Sequence, residues 1–475
     1  MQLSKKELEF QETVVRSASN TVSNIEFIRN KQQEALKRLE QVAFPSNRDE
    51  DWHYYDFKDI LDVEYNIEKS SQKENQLSLS KQELNQIIEK YVFKETVNNF
   101  LVTFNGAYSE EYSNFDFSNE EIKIINFNDL DELKRDNEAK TLIEKYFASE
   151  VKDEDKYFKL VNTLLLRNGF FLHIKENYHS DKPLQILHIS NQNSSNQIRS
   201  LIYSGKNSQL NLLVTYVGLE DSKYFTNAVI ECFLDQGSKL KLDKIQNESQ
   251  EATRLYSYSA KLERDSDFEF NSFSFGAKSS RDDIEIDILG TNAKAKANGL
   301  YVLNKDRKSH HHVVINHKAP HTTSEQLFKG LLQGKSKAEF NGLIDVSRNA
   351  EKTDASQLNK NLLLSKDAHI DSRPQLNILT DDVKCNHGST VGRLNQEELF
   401  YLKSRGLNEV DSKTVLTYSF CKELIDKIDM ASARNYVSNL AFANLRDGSK
   451  EDGLDTLALL AENSKFKKSR LDTNA

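Results

Sequence analysis

The sequence predicts a mainly β protein whose core is a right-handed parallel β-helix, flanked by a helical and α+β amino-terminal domain and a helical carboxy-terminal domain. Between about residues 183 and 392, short runs of alternating apolar residues replace helical spacing. In this region a small residue followed by apolar positions at +2 and +4 recurs, at residues 208–212, 238–242, 266–270, 293–297, 336–340 and 368–372. Because alternate residues of a strand share a face, each copy predicts an inward-facing row.

The spacing of this motif favours a solenoid. Successive copies begin 30, 28, 27, 43 and 32 residues apart, and a second strand-like run lies between most of them. A period near thirty that holds two strands is typical of a parallel β-helix, in which only the stack of coils buries a continuous core. A β-sandwich also alternates but has no reason to repeat one motif at near-constant spacing. We interpret the interval of 43 as a loop insertion.

The flanking regions have a different pattern. Residues 1–180 are predicted to form the amino-terminal domain, beginning with helix that is capped by Ser4 and Glu7 and ends before Pro45. The polar stretch 68–81 within it is predicted to be a linker. After the 183–392 core, residues 393–448 are predicted to be helical, with Asn395 as a cap and Gly406 as a stop. Residues 449–475 are predicted to be a loosely attached tail.

Composition excludes several classes of protein. The 475 residues are 29% charged with a net charge of −9, which argues against a partner that is a nucleic acid. No apolar segment is long enough to span a bilayer, and the first residues lack the pattern of a signal peptide, so we expect a cytoplasmic protein with no membrane partner. The three cysteines, Cys232, Cys385 and Cys421, are too few for a disulfide framework.

The most informative local feature is a thiol two residues from an imidazole. Cys385 and His387 end the strand-rich region, and on a strand they would point to one face. Sulfur and imidazole nitrogen together suit iron or zinc. Two ligands do not close a metal site, so the others would come from elsewhere, such as another subunit. A buried thiol and a hydrogen-bonded structural imidazole remain the alternative for this spacing.

Three other patterns are interpreted as structural. Residues 330–336 resemble a phosphate-binding loop but have one residue too few between the glycines and are followed by strand, which indicates a turn between coils. In the run 310–312, only His310 and His312 can share a face, which favours a stacked, hydrogen-bonded histidine row over a metal site. Asp283, Glu285 and Asp287 are typical of a solvated strand face, although a carbohydrate-active β-helix enzyme would also carry carboxylates there.

Long, ordered stretches of the chain resemble the SufB/SufD family of iron–sulfur cluster assembly scaffolds, and within it the SufD branch. The resemblance includes the Cys-x-His-Gly-x-Thr-Val-Gly pattern that contains Cys385 and His387. The matching segments are residues 313–326, 328–336, 342–346, 350–359, 362–365, 372–376, 381–392 and 399–406.

The resemblance implies a non-catalytic scaffold subunit of a SufBCD-type complex. It implies a SufB-like partner bound through the β-helix ends, a SufC-like ATPase docked on the helical carboxy-terminal region, and a homodimer as a further form of the isolated chain. It also implies that no cofactor is held permanently and that iron or an iron–sulfur cluster binds transiently at the SufB interface. His387 matches the ligand position, with Cys385 close by. A SufB-like homodimeric scaffold is the nearest alternative.

One partner-binding surface is expected just beyond the core. Phe400, Tyr401 and Arg405 lie on the first predicted carboxy-terminal helix. Two large aromatic residues beside an arginine suit an interface anchor, and the resemblance assigns that interface to the SufC-like ATPase. The alternative is that both aromatic residues pack this helix against its neighbours.

Overall fold

The solenoid consists of two long, mostly parallel sheets. The computed structural model describes residues 4–61, 79–116, 120–127, 136–149, 156–166, 168–191, 195–219 and 222–445. The first sheet has the strand order β19-β17-β15-β13-β11-β9-β7-β5-β1-β2, and the second has the order β18-β16-β14-β12-β10-β8-β6-β4-β3. Only the β1–β2 and β3–β4 pairs are antiparallel among these neighbours. The predicted mainly β fold with a parallel β-helix core is therefore confirmed.

The strand bounds follow the chain in order. The first sheet contains β1 (Phe100–Phe104), β2 (Ala107–Asn114), β5 (Leu184–Ser190), β7 (Gln209–Gly218), β9 (Lys239–Asn247), β11 (Asp267–Ser274), β13 (Lys294–Leu303), β15 (Thr323–Leu332), β17 (Asp354–Leu363) and β19 (Lys384–Gly392). The second sheet contains β3 (Ile122–Asn126), β4 (Asn168–Ile174), β6 (Ser195–Ser204), β8 (Phe225–Leu234), β10 (Thr253–Leu262), β12 (Ser279–Ile288), β14 (Lys308–His317), β16 (Lys337–Val346) and β18 (His369–Ile378). Since β4 already pairs in parallel with β6, the solenoid includes residues that precede position 183.

The predicted apolar rows stack inside the solenoid. Leu210 pairs in register with Leu240 and then with Phe268, while Leu212, Leu242 and Phe270 form the neighbouring row. All six side chains are at most 3% exposed. The +2 and +4 rule derived from the sequence therefore identifies the interior of the first sheet correctly.

The oversized interval in the motif is not a loop insertion. The copies at 336–340 and 368–372 lie on β16 and β18, in the second sheet, whereas the first sheet continues through β15. The inward positions of β15 include Ser324 and Gln326 in place of two apolar residues, so the motif search passed over this strand. First-sheet strands from β7 to β19 begin 27 to 31 residues apart without exception.

Helices cover the outer faces of the two sheets. The amino-terminal helices are α1 (Lys5–Ala18), α2 (Glu26–Leu39), α3 (Lys58–Leu61), α4 (Lys81–Tyr91), α5 (Asn137–Tyr146) and α6 (Tyr157–Leu164), with a short 3₁₀ helix at Glu50–Trp52. The carboxy-terminal helices are α7 (Gln396–Ser404), α8 (Glu409–Ile425) and α9 (Ala431–Leu445). No helix in these described segments is long and apolar enough to cross a membrane.

The amino-terminal predictions are partly corrected. The capping box of Ser4 and Glu7 is present, but the first forty residues form two helices, because the chain leaves helical geometry between Ala18 and Glu26. The predicted linker at 68–81 falls mostly outside the described residues, and its last residue begins α4, which Ser80 caps. The predicted tail at 449–475 also lies outside them.

Apolar clusters attach these helices to the solenoid. Leu201, Phe225 and Leu255 of the second sheet share a cluster with buried residues of α2 and α6. Leu213, Ile245 and further apolar residues of the first sheet pack against α8 and α9. The carboxy-terminal helices therefore lie directly on the sheet that ends in β19.

A buried carboxyl lies where the turn between α8 and α9 meets the first sheet. Asp243 of β9 is 3% exposed and accepts a hydrogen bond of 2.7 Å from Asn271. Burial raises the pKa of Asp243 to about 7, opposed by Lys241 and reinforced by Asp429 and Glu269. Lys241 in turn forms an ion pair of 2.6 Å with Asp429, so this group of charges connects the sheet to the helices.

Asp243→Asn should make the stability of the protein less sensitive to pH. The pKa of Asp243 is higher in the folded chain than in the unfolded chain, so its stabilising effect is complete at low pH and is lost as the pH rises towards 7. We expect the substitution to remove about 2 kcal/mol of the fall in unfolding free energy between pH 5 and pH 8. Denaturant titrations of both proteins at each pH measure this difference, and an unchanged pH dependence would contradict the assignment.

Candidate functional site

The last coil of the solenoid ends in two strands that are each paired on one side. Strand β19 is the edge of the first sheet and pairs with β17, while β18 is the edge of the second sheet and pairs with β16. Most residues of β19 are exposed, in contrast to the buried strands of the earlier coils. No described residue therefore covers this end of the solenoid as a further coil would.

Cys385 and His387 continue two interior rows of the stack. Cys385 is in register with Ala355, and the same row runs back through Ser324. His387 is in register with Gln357, which follows Gln326. The two side chains share the inward face of β19, as their spacing predicts. The rows that are apolar in the early coils thus become polar towards the open end.

The Cys385 thiol is half-buried against a small apolar cluster. Its neighbours in this cluster include Ile344, Val346 and Ala355. Burial raises the pKa of the Cys385 thiol, and the Asp354 carboxylate raises it further, while a backbone hydrogen bond from Ala355 acts in the opposite direction. The thiol is therefore held in its protonated form at neutral pH in the absence of a metal.

The His387 imidazole is exposed and makes no hydrogen bond or ion pair with the described residues. Buried histidines of the same solenoid differ in this respect. The two ring nitrogens of His317 lie 2.7 Å from the Thr322 hydroxyl and 2.8 Å from the Ser324 hydroxyl. His317 is therefore a hydrogen-bonded structural imidazole, whereas both ring nitrogens of His387 lack a partner among the described residues.

The chemistry of this pair is that of an incomplete metal site. In the described segments, no group of three or more histidine, cysteine or acidic side chains is arranged to hold a metal ion. A thiol and an imidazole on one face of a strand offer donors that suit iron or zinc. A four-ligand site at this position would therefore need donors from beyond the described residues.

The histidine run has separate partners and is not a stacked row. His311 points into the solenoid and stacks on Tyr301, with 4.5 Å between ring centroids. His310 and His312 point to the other side, as alternation predicts, where His310 lies 2.9 Å from Glu339 and His312 lies 3.3 Å from Asp51. The hydrogen-bonded part of the interpretation is confirmed, but the described histidine rings do not stack on one another, because each of them has its own partner.

The interpretation of residues 330–336 as a turn is confirmed, whereas Asp283, Glu285 and Asp287 are half-buried and ion-paired instead of fully solvated. Residues 330–336 form the end of β15 and the turn to β16, with Gly334 at a φ of 70°. Glu285 and Asp287 lie on the outer face of β12 and form ion pairs with Lys156 and Lys318. Both carboxylates therefore help to attach neighbouring segments of the chain to β12.

Sequence reasoning missed a charged cluster inside the solenoid. Asp282 is fully buried and lies 2.6 Å from Lys244 and 3.1 Å from Arg254. The Arg254 guanidinium and the Lys244 ammonium keep the pKa of Asp282 below its usual range in spite of burial. The available signal was the period of two, because Lys244 continues the inward positions of Leu240 and Leu242 on β9.

The aromatic residues of α7 do not pack against the neighbouring helices that the structure describes. Phe400 is 75% exposed and Tyr401 is 57% exposed, while Leu399 is the buried residue of this helix. The Arg405 guanidinium lies over the Tyr401 ring, 5.3 Å from its centroid. The alternative that both aromatic residues serve internal packing is therefore wrong.

These features define a parallel β-solenoid protein with a metal-donor pair at its open end and an exposed aromatic surface beside it. Residues 187–420 match the family described as "SUF system FeS cluster assembly, SufBD core domain", and residues 10–186 match "SufBD protein N-terminal region". The chain belongs to the SufBD family of iron–sulfur cluster assembly proteins.

Similar proteins come from several bacteria. An iron–sulfur cluster assembly SufBD family protein of Synechocystis is 27% identical over 415 residues, covering 85% of this chain and 88% of that protein. The iron–sulfur cluster assembly protein SufD of Escherichia coli is 30% identical over 260 residues, covering 54% of this chain and 62% of SufD. A SufBD family protein of Staphylococcus saprophyticus is 24% identical over 429 residues, covering 89% of this chain and 90% of that protein.

The contrast between two histidines gives a test of the site geometry. His387→Ala should change the unfolding free energy by less than about 0.5 kcal/mol, because the side chain is exposed and unbonded. His317→Ala is the matched control and should cost about 2–4 kcal/mol, because it empties a buried site and removes the hydrogen-bond partner of the Ser324 hydroxyl. Denaturant unfolding of the isolated chain measures both, and equal losses would contradict the description of His387.

Proposed function

We propose that this chain is a non-catalytic, cytoplasmic scaffold subunit of a SufBCD-type complex that assembles iron–sulfur clusters. Its open solenoid end supplies His387 and Cys385 to iron or to a nascent cluster at the junction with a SufB-like subunit. The cluster is cargo that passes on to other proteins. The observation that carries the proposal is an exposed imidazole, without a hydrogen bond to the described residues, beside a thiol on the inward face of a terminal strand that has one free edge.

The backbone of β19 supports the docking of another strand. The Lys384 N–H donates to the Thr353 carbonyl, so the alternate residues Cys385 and His387 direct their N–H and C=O groups to the free edge. A strand that pairs with this edge would lie about 4.8 Å away and would place its own side chains beside His387. A SufB-like subunit docked here can complete the ligand set, and a second copy of this chain can occupy the same edge when the chain is isolated.

The two proposed ligands differ in whether they must lose a proton before they bind iron. A neutral imidazole binds iron without losing a proton, whereas a thiol must be deprotonated first. Burial and Asp354 oppose deprotonation of Cys385 before a metal arrives. His387 is therefore the primary ligand of this chain, and Cys385 joins once the metal charge favours its thiolate.

The remaining cysteines do not suit the receipt of sulfur. Cys232 is 3% exposed and Cys421 is fully buried, and burial raises the pKa of both thiols. A sulfur-accepting thiol has to be accessible and ionisable. This favours a SufD-like role over a SufB-like one, with the SufB-like partner as the sulfur acceptor.

The exposed aromatic surface is assigned to the SufC-like ATPase. Phe400 and Tyr401 expose large apolar area on α7, and Arg405 lies over one of the rings. Aromatic residues with an arginine are the usual anchors of protein interfaces. The helix lies just beyond β19, so the movement of an ATPase docked here would be transmitted to the strand that carries both ligands.

His387→Ala in the co-expressed three-protein complex should abolish cluster assembly while the partners stay bound. The expected reason is loss of a ligand without loss of fold. Cys385→Ala should reduce iron and sulfide less, because the thiol is the secondary ligand. Iron and sulfide content, partner retention and thermal stability measured on the same preparations test this, and a normal cluster content in the His387→Ala complex would overturn the proposed function.

Replacing Tyr401 and Arg405 together by alanine should weaken the binding of the SufC-like ATPase by at least tenfold, about 1.4 kcal/mol or more, with the fold intact. Tyr54→Ala is the matched control, since Tyr54 is also an exposed tyrosine with an arginine, Arg373, 5.3 Å from its ring centroid. Calorimetric titration of purified ATPase into each variant measures the affinity. Equal binding by the double variant and the control would refute the docking assignment.

A further inference from the structure

Two glutamine side chains below His387 form a directed amide chain across the solenoid interior. Gln326 and Gln357 are each 1% exposed and occupy successive positions of the row that ends in His387. The Gln326 amide nitrogen donates to the Leu343 carbonyl of the second sheet at 3.2 Å. The Gln357 amide nitrogen donates to the Gln326 amide oxygen at 2.7 Å.

The backbone carbonyl at one end fixes the direction of this chain. A carbonyl oxygen only accepts, so Gln326 must present its NH₂ group to Leu343 and its oxygen to Gln357. Gln357 must then present its NH₂ group to Gln326, which leaves its own Oε1 as the free end. The orientation of both amides therefore follows from one fixed acceptor and needs no choice between alternative flips.

The free end is a buried acceptor without a partner. Gln357 Oε1 is buried and accepts no hydrogen bond from the residues that the structure describes. A buried amide oxygen left unpaired costs about 1–3 kcal/mol. Gly342 leaves room for this amide, because a Cβ atom at that position would lie 2.5 Å from the Gln357 nitrogen. Because leaving this oxygen unpaired costs free energy, we expect a hydrogen-bond donor to reach it in another state of the protein.

His387 is the residue placed to supply that donor. It pairs directly with Gln357 in the β17–β19 register, on the same inward face, and both of its ring nitrogens lack a partner among the described residues. Neighbouring strands lie about 4.8 Å apart, within the reach of a glutamine amide and an imidazole N–H. A histidine that binds a metal through one nitrogen commonly donates its other N–H to a carbonyl or carboxylate oxygen.

We propose that Gln357 is a positioning residue for the iron ligand His387. When His387 binds iron, one ring N–H donates to Gln357 Oε1, which fixes the ring orientation and leaves the lone pair of the other nitrogen directed at the metal. The chain from Leu343 through Gln326 and Gln357 thus extends to the imidazole. The inference rests on the proposed function, since it assigns a second residue to the same site.

The test compares iron release from four variants of the co-expressed complex. Gln357→Met keeps the length of the side chain and removes the acceptor, so we expect iron to pass to a ferrous chelator about 10–100 times faster than from the unchanged complex. Gln357→Glu retains an acceptor oxygen, and in its protonated form its O–H replaces the amide donor to Gln326 Oε1, so it should restore release to within about threefold of the original rate. Recovery by this variant separates positioning from a purely structural effect.

Gln246→Met is the matched control for stability. Gln246 is a fully buried glutamine of β9 that also hydrogen-bonds within the interior, far from the open end in the strand order. The Gln246→Met substitution should destabilise the chain without changing the rate of iron release by more than about threefold. Thermal stability of each variant, measured without iron, establishes the structural cost separately.

The outcomes distinguish this inference from the function on which it rests. Equal iron release from the Gln357→Met and Gln246→Met complexes, with His387→Ala unable to retain iron, would overturn the positioning role and leave the ligand role of His387. Normal iron retention by the His387→Ala complex would overturn both. Fast release from Gln357→Met with recovery in Gln357→Glu supports the assignment.

Discussion

The in-register parallel pairing of successive coils is the constraint on which the rest of the structure depends. Each residue of a first-sheet strand faces its counterpart two strands earlier in the chain, so a side chain that points inward in one coil fixes an inward row through the whole stack. This register places Leu212, Phe270, Gln326 and His387 in one row. The same pairing leaves β19 with a free edge, because no further coil of the described chain follows it.

The interior of the early coils could be predicted because its rows are apolar. Leu240 and Phe268 repeat at the period of a coil, and hydrophobic alternation is a strong local signal. The later coils replaced these residues by Ser324, Gln326 and Gln357, so the motif was lost where the site begins. The charged pair of Lys244 and Asp282 was missed for the same reason, since a polar residue on a strand is normally expected to face solvent.

The candidate site was predictable in part. The spacing of Cys385 and His387 was enough to place them on one face, because side-chain direction on a strand is a local property. Their exposure was not predictable, since it depends on which coil is the last. The sequence also left both roles open for Phe400 and Tyr401, because large apolar residues on a short helix serve a core or an interface equally well until the neighbours are known.

One residue, His387, connects the fold to the proposed function. His387 lies in the row of the amide chain, beside a thiol with a raised pKa, and on a strand with a free edge. None of these features alone is specific to a ligand site. Together they support the proposal that this chain supplies half of a ligand set and that a partner supplies the other donors.

The most direct test of the central claim is to identify the nitrogen bound to the cluster. The complex would be reconstituted from this chain labelled with ¹⁵N-histidine and from unlabelled partners, loaded with iron and sulfide, reduced, and measured by pulsed electron paramagnetic resonance. The account predicts a ¹⁵N hyperfine coupling of a directly bound imidazole, which disappears in His387→Ala. A cluster that shows no ¹⁵N coupling from this chain would contradict it.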